Sequence, residues 1–162
     1  ETVANEEAPE LAASTQALPL PEIATRDDLD DTTKAGEHAT MSSLDEALQQ
    51  LLAIEGASGA AIVDYSSGMA LAQGGNPAFD LGVAAAGNSN VVRAKLATMR
   101  DLGVTDQIDD ILITLDSQYH LINVLNTSGT NGLFIYLVLN RSSANLALAR
   151  HKLKGVAASI SV

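Results

Sequence analysis

"LFIYLVLNRSSANLALARHKL", residues 133–153, joins an apolar run to a polar corner and then to the opening of a helix. Leu133 to Leu139 is apolar on both faces, and such a strand belongs in the middle of a sheet covered on both sides. Beyond the corner Leu146, Ala149, Leu153, Val156 and Ile160 recur at helical spacing, with Lys152 and Lys154 off that line. This predicts a closing helix. The corner, Asn140 to Asn145, is where a helix start can offer unpaired N–H groups to phosphate. Its residues argue otherwise. There is no G-x-x-x-x-G-K-[ST] and no Gly between Leu133 and Lys154, so the backbone cannot curl round a phosphate. Arg141 is able to attract an anion, but Ser142 or Ser143 as a helix cap explains the polar residues with less assumption.

Outward from this stretch, "IDDILITLDSQYHLINVLNTSGTNGLFIYLVLN" gives three strands. In the first, Ile111, Ile113 and Leu115 face one way, with Leu112 and Thr114 opposite. In the second, His120, Ile122 and Val124 alternate with Tyr119, Leu121, Asn123 and Leu125. Upstream, "NPAFDLGVAAAGNSNVVRAKLATMRDLG" predicts a long helix. Leu81, Ala85, Val92, Leu96 and Met99 share a stripe when Asn88 is admitted to it, and Gly103 ends the helix. Gly82, Ala84, Ala85, Ala86 and Gly87 make its first half small-sided, so that another backbone can approach closely. "SGAAIVDYSSGMALAQGG" reads as a hairpin in which Gly68 takes the positive φ of the turn. "SSLDEALQQLLAIEG" reads as a first helix, with Ser43 and Glu46 as a capping box, a stripe of Leu44, Leu48, Leu51 and Leu52, and Gly56 as its stop. The order is α-β-β-α-β-β-β-α. Hairpin-length links make the five strands largely antiparallel, with helices on the sheet faces in an α+β layering.

Residues 1–40 differ in kind. They hold three of the four prolines, no aromatic residue, and ten acids against two bases, a net charge of −8 out of −11. Such a segment buries too little apolar surface to offset its ordering entropy, and the composition predicts a disordered acidic tail, linker or added sequence. Met41 offers a native start, and a domain is expected over residues 41–162. "LPLPEI" is readable as a docking peptide, with plain linker the simpler reading.

The composition excludes several function classes. Without Cys there is no disulfide or thiolate metal site, which fits a reducing, cytoplasmic setting. No apolar run is long enough to span a bilayer, and no basic-then-apolar leader opens the sequence. Nucleic acid needs a concentrated basic face and stacking aromatics, and five Phe and Tyr residues on an acidic chain supply neither. His38, His120 and His151 have no second ligand at metal spacing on the same face, and His120 is placed on a partly solvated strand face. No nucleophile, base and acid stand in register. Asp109–Asp110 invites a metal or acid–base reading, yet it fits the solvated start of a strand. No cofactor, metal or small-molecule ligand is expected, and no enzyme.

The element order and three stretches resemble the roadblock family, which includes dynein light chains and bacterial regulators of small GTPases. The stretches are "GASGAAIVDYSSGMALA", "DDILITLDSQYHLINVL" and "LFIYLVLNRSSANLALARHKL". The resemblance covers about residues 43–160. It implies a five-stranded antiparallel sheet, with the long second helix on one face and the first and last helices on the other. It also implies a homodimer made by edge-to-edge pairing of third strands and packing of second helices. Ala84, Ala85, Asn88 and Val92 on the helix, with Ile111, Ile113 and Leu115 on the strand, are the implied dimer contacts. The function implied is a non-enzymatic regulator of a Ras-like small GTPase, the alternative being a passive scaffold or light-chain-like adaptor. Arg93 and Arg100, seven apart on one helix face, are candidate partner contacts set against a plain solvating role.

Overall fold

The computed structural model describes residues 43–161. The tail expected over residues 1–40, and any docking role for "LPLPEI", lie outside the described residues. Residues 43–52 form helix α1. Strands β1 (Ala57–Asp64) and β2 (Met69–Gly75) follow, then α2 (Leu81–Asp101), β3 (Asp110–Thr114), β4 (Gln118–Val124), β5 (Leu133–Asn140) and α3 (Leu146–Ser159). The five strands form one sheet in the order β2-β1-β5-β4-β3, and every neighbouring pair is antiparallel. The expected order and layering are those observed.

β5 occupies the centre, and its first seven residues are buried. Leu133, Ile135, Leu137 and Leu139 pack with Leu44, Leu48 and Leu51 of α1 and Leu153 and Val156 of α3. Phe134, Tyr136 and Val138 turn to the opposite face, towards Leu81, Ala85 and Val92 of α2. The period-two pattern of one strand therefore supplies two cores.

Local chemistry sets the element ends. Gly68 closes the β1–β2 turn at φ 78°, and its N–H donates to Asp64 O. Asp64 accepts from the Ser66 and Ser67 hydroxyls at 2.6 and 2.8 Å. The Ser66 side chain, chiefly, holds the Asp64 carboxyl below its ordinary value. Asp80 caps α2 by accepting from the Gly82 and Val83 N–H groups. At the other end Gly103 at φ 68° donates to Arg100 O and Val104 donates to Met99 O, a Schellman closure.

Two local expectations are corrected. The cap of α3 is Asn145, whose Oδ1 accepts from Leu148 N–H at 3.0 Å. Ser142 instead donates through N–H and hydroxyl to Asn140 Oδ1, closing the turn two residues earlier. The Ser43 hydroxyl donates to Ser161 O, joining the first and last of the described residues. The buried line of α2 runs Leu81, Ala85, Ser89, Val92, so Ser89 rather than Asn88 completes it. Ser89 is tolerated there because its hydroxyl donates to Ala85 O at 2.8 Å.

Candidate functional site

The small residues of α2 serve two different faces. Ala85, Ala86 and Ser89 receive the chain's own structure. Ala85 is wholly buried, and a Cβ on Gly68 would lie 3.5 Å from Ala86 Cα and 3.9 Å from Ser89 Oγ. Arg93 fixes this contact by donating to Tyr65 O at 2.6 Å and to Ser66 O at 3.1 Å. Val83, Ala84, Gly87, Asn88 and Val91 turn to the other flank. A Cβ added to Gly87 would meet nothing within 4 Å. Val83 is 72% exposed, which is unusual for a helical valine beside a sheet.

That flank opens on uncovered sheet. α2 packs on β1 and β2, and among the described residues no helix packs closely on the same face of β4 and β3. A groove of about 440 Å³ results, with Phe79, Val83, Ala84 and Asn88 on one wall and His120 and Tyr136 at its base. Ile111 and Ile113 of β3 lie on this face, only partly buried.

Polar groups at the base are ordered. The Tyr136 hydroxyl and His120 Nδ1 are 2.9 Å apart, and His120 Nε2 is 3.1 Å from Gln118 Oε1. Asn88 lines the groove beside Tyr136. The His120 ring meets Tyr136 edge-on at 5.5 Å and Phe79 at 5.7 Å. Burial pushes the Tyr136 hydroxyl up to about 12 and lowers His120 below its ordinary 6.5. At neutral pH both groups are uncharged, and the groove base is polar without being ionic.

The two edges of the sheet differ. β2 breaks register between Ile62 and Val63 of its partner, leaving Leu71 as an extra residue. A bulge of this kind twists an edge and hinders further pairing. β3 pairs with β4 without a break, from Asp110↔Asn123 to Thr114↔Tyr119. Leu115 N–H donates inward to Gln118 O, so by alternation Leu112 and Thr114 turn their N–H and C=O groups outward. That edge is regular, and among the described residues no strand pairs with it.

Among the residues singled out from sequence, Ala84 and Asn88 line the groove. Ile111 and Ile113 flank it, and Leu115, 42% exposed, follows the end of β3. Ala85 and Val92 are each 0% exposed, packed against the chain's own sheet, so Val83 and Val91 take their place on the accessible flank. Arg93 holds the hairpin, and Arg100 is exposed in the last turn of α2. Phe79, His120 and Tyr136 are additions: strand register brings His120 beside Tyr136, and the connection before α2 brings Phe79 to the His120 ring.

The other candidates resolve into structural roles. Asp110 pairs with Arg150 at 2.7 Å and Asp109 with Lys154 at 2.5 Å, tying the β3 strand to α3. Arg141 at the β5–α3 corner donates to Leu115 O and lies over the Tyr119 ring. Among the described residues no three His, Asp or Glu side chains are grouped to hold a metal ion, and no helix is long and apolar enough to cross a membrane.

No protein-family model matches the chain, and no curated protein matches it in sequence. Solved structures do match in shape. Myxococcus xanthus MglB superposes with a TM-score of 0.65 at 12% identity, over 75% of this chain and 86% of that one. The gliding protein MglB of Thermus thermophilus gives 0.63 at 17%, over 76% and 89%. A Roadblock/LC7 domain from Streptomyces avermitilis gives 0.58 at 13%, over 73% and 91%. At these identities the likeness is one of fold: the chain is folded as a roadblock-like domain.

Proposed function

We propose that the chain is a non-enzymatic homodimeric regulator that binds a Ras-like small GTPase and modulates its GTP hydrolysis. The observation that carries the assembly is the coincidence of an open β3 edge with an uncovered half-face beside it. A second copy related by a twofold axis perpendicular to the sheet answers both needs. Its β3 takes up the outward groups of Leu112 and Thr114, and its α2 settles over β4 and β3. Ile111 and Ile113 are then covered, and the flank from Val83 to Val91 meets its own counterpart. Ala84, Asn88 and Leu115 remain interface residues in this reading, with Ala85 and Val92 supporting the helix from beneath.

The regulatory role rests on the resemblance in sequence and on the likeness of fold to MglB. The sequence offers no Gly-rich phosphate loop, and among the described residues no acidic or His cluster is grouped to hold a metal ion for phosphoryl transfer. A dimer therefore acts by binding one switch conformation of the GTPase more tightly than another, with a coupling of ~1–3 kcal/mol. Phosphoryl transfer depends on positioning, which a partner can improve without donating a catalytic group.

The test is single-turnover GTP hydrolysis by a candidate partner GTPase, with and without this protein. The rate is expected to change on addition and to return to basal with Ile113→Lys. Calorimetric titration of GTP or GDP into the protein alone is expected to be flat. An unaltered rate despite a stable complex would instead favour a passive scaffold.

A further inference from the structure

Three side chains at the groove base are joined in one direction. Tyr136 donates to His120 Nδ1, and His120 Nε2–H donates to Gln118 Oε1. This order suits a neutral imidazole carrying its proton on Nε2. A second proton on Nδ1 leaves Tyr136 no acceptor there. The hydroxyl must then accept from Nδ1–H and turn its own hydrogen into the groove, which Asn88 of α2 also lines. The charge state of a β4 residue is thereby read out in the groove beside α2.

We infer that His120 makes self-association pH-sensitive: protonation reverses this hydrogen-bond chain, turns the Tyr136 hydroxyl into the groove, and weakens the seating of a second copy's α2 there. The inference rests on the homodimer proposed above. The groups facing His120 allow few competing titrations. From β5 it meets Tyr136 and from β3 its register partner Ile113. From the α2 side it meets Asn88, Phe79 and the acid Asp80, which is engaged by two N–H groups of the helix start. Among the described residues no other charged side chain lines the groove.

The sign follows from water removal. His120 is already held below 6.5 by burial in one copy. Covering the groove disfavours the imidazolium further, so the midpoint falls again on association. By linkage the assembly is intact above the ordinary His range and loses affinity as pH drops through the window below 6.5.

Sedimentation equilibrium of the full chain at pH 7.5 and 5.5, at fixed salt, tests this. The expected result is a dimer at pH 7.5 whose Kd rises roughly tenfold at pH 5.5, as each of the two sites takes up a proton that association disfavours. His120→Gln should abolish most of that rise. An equal rise in the variant would assign the effect to other groups and overturn the inference. A second measurement needs no variant. The His120 imidazole, followed by NMR, should titrate at lower pH in concentrated than in dilute protein, and identical midpoints would also overturn it. A dimer of unchanged affinity at both pH values removes this inference alone. A chain monomeric at both removes the homodimer as well.

Discussion

Single residues in this fold are constrained chiefly where backbone meets backbone. Gly56 has φ 83°, and a Cβ there would lie 2.7 Å from Ala144 Cβ, while its carbonyl accepts from Asn140 N–H. Gly56→Ala is therefore expected to lower stability by roughly 1–3 kcal/mol, read as a shift in the urea midpoint. The reassigned cap gives a sharper check. Asn145→Ala should cost about 1 kcal/mol, whereas Ser143→Ala should be near neutral. A larger loss at Ser143 than at Asn145 would return the cap to the serines. His120 adds a pH term to folding itself. Its folded-state midpoint lies below 6.5, so that part of the stability is present above the ordinary His range and declines as pH falls beneath it.

At the scale of elements, α2 is where sequence reading and structure part company. Leu133–Leu139 announces its central position because a strand apolar on both faces needs no knowledge of its neighbours. The stripe of α3 is equally legible, each residue being set by helical period alone. The two uses of the small residues in α2 are not. Their separation depends on where the Gly68 turn lands, a contact between Gly68 and Ala86 that no local pattern encodes. Asn88 and Ser89 are likewise both small and polar, and only the Ala85 carbonyl tells which one is buried. The groove base was hidden for a related reason, since His120 and Tyr136 meet only through the β4–β5 register. This division predicts opposite outcomes for neighbouring substitutions. Ala85→Glu should unfold or strongly destabilise the domain, by roughly 3 kcal/mol, because a charge enters the core unpaired. Val83→Glu should leave the melting transition of the monomer nearly unchanged while preventing association. Gel filtration combined with thermal melts separates the two.

For the molecule as a whole, charge and coverage point to the same vacant half. α1 and α3 close one face of the sheet, while α2 covers only the β1 and β2 part of the other. The Arg150–Asp110 and Lys154–Asp109 pairs hold β3 against α3 and leave its outer edge free. Lys154→Met should change stability by less than about 1 kcal/mol, since that pair is mostly exposed. The central claim is that a second copy completes the sheet through β3 and fills the groove beside it. Sedimentation velocity of the full chain at micromolar concentration and neutral pH, beside Ile113→Lys, tests it most directly. The account predicts a dimer for the unaltered chain and a folded monomer for the variant. A stable monomer for the unaltered chain, or a variant that remains dimeric, would contradict it.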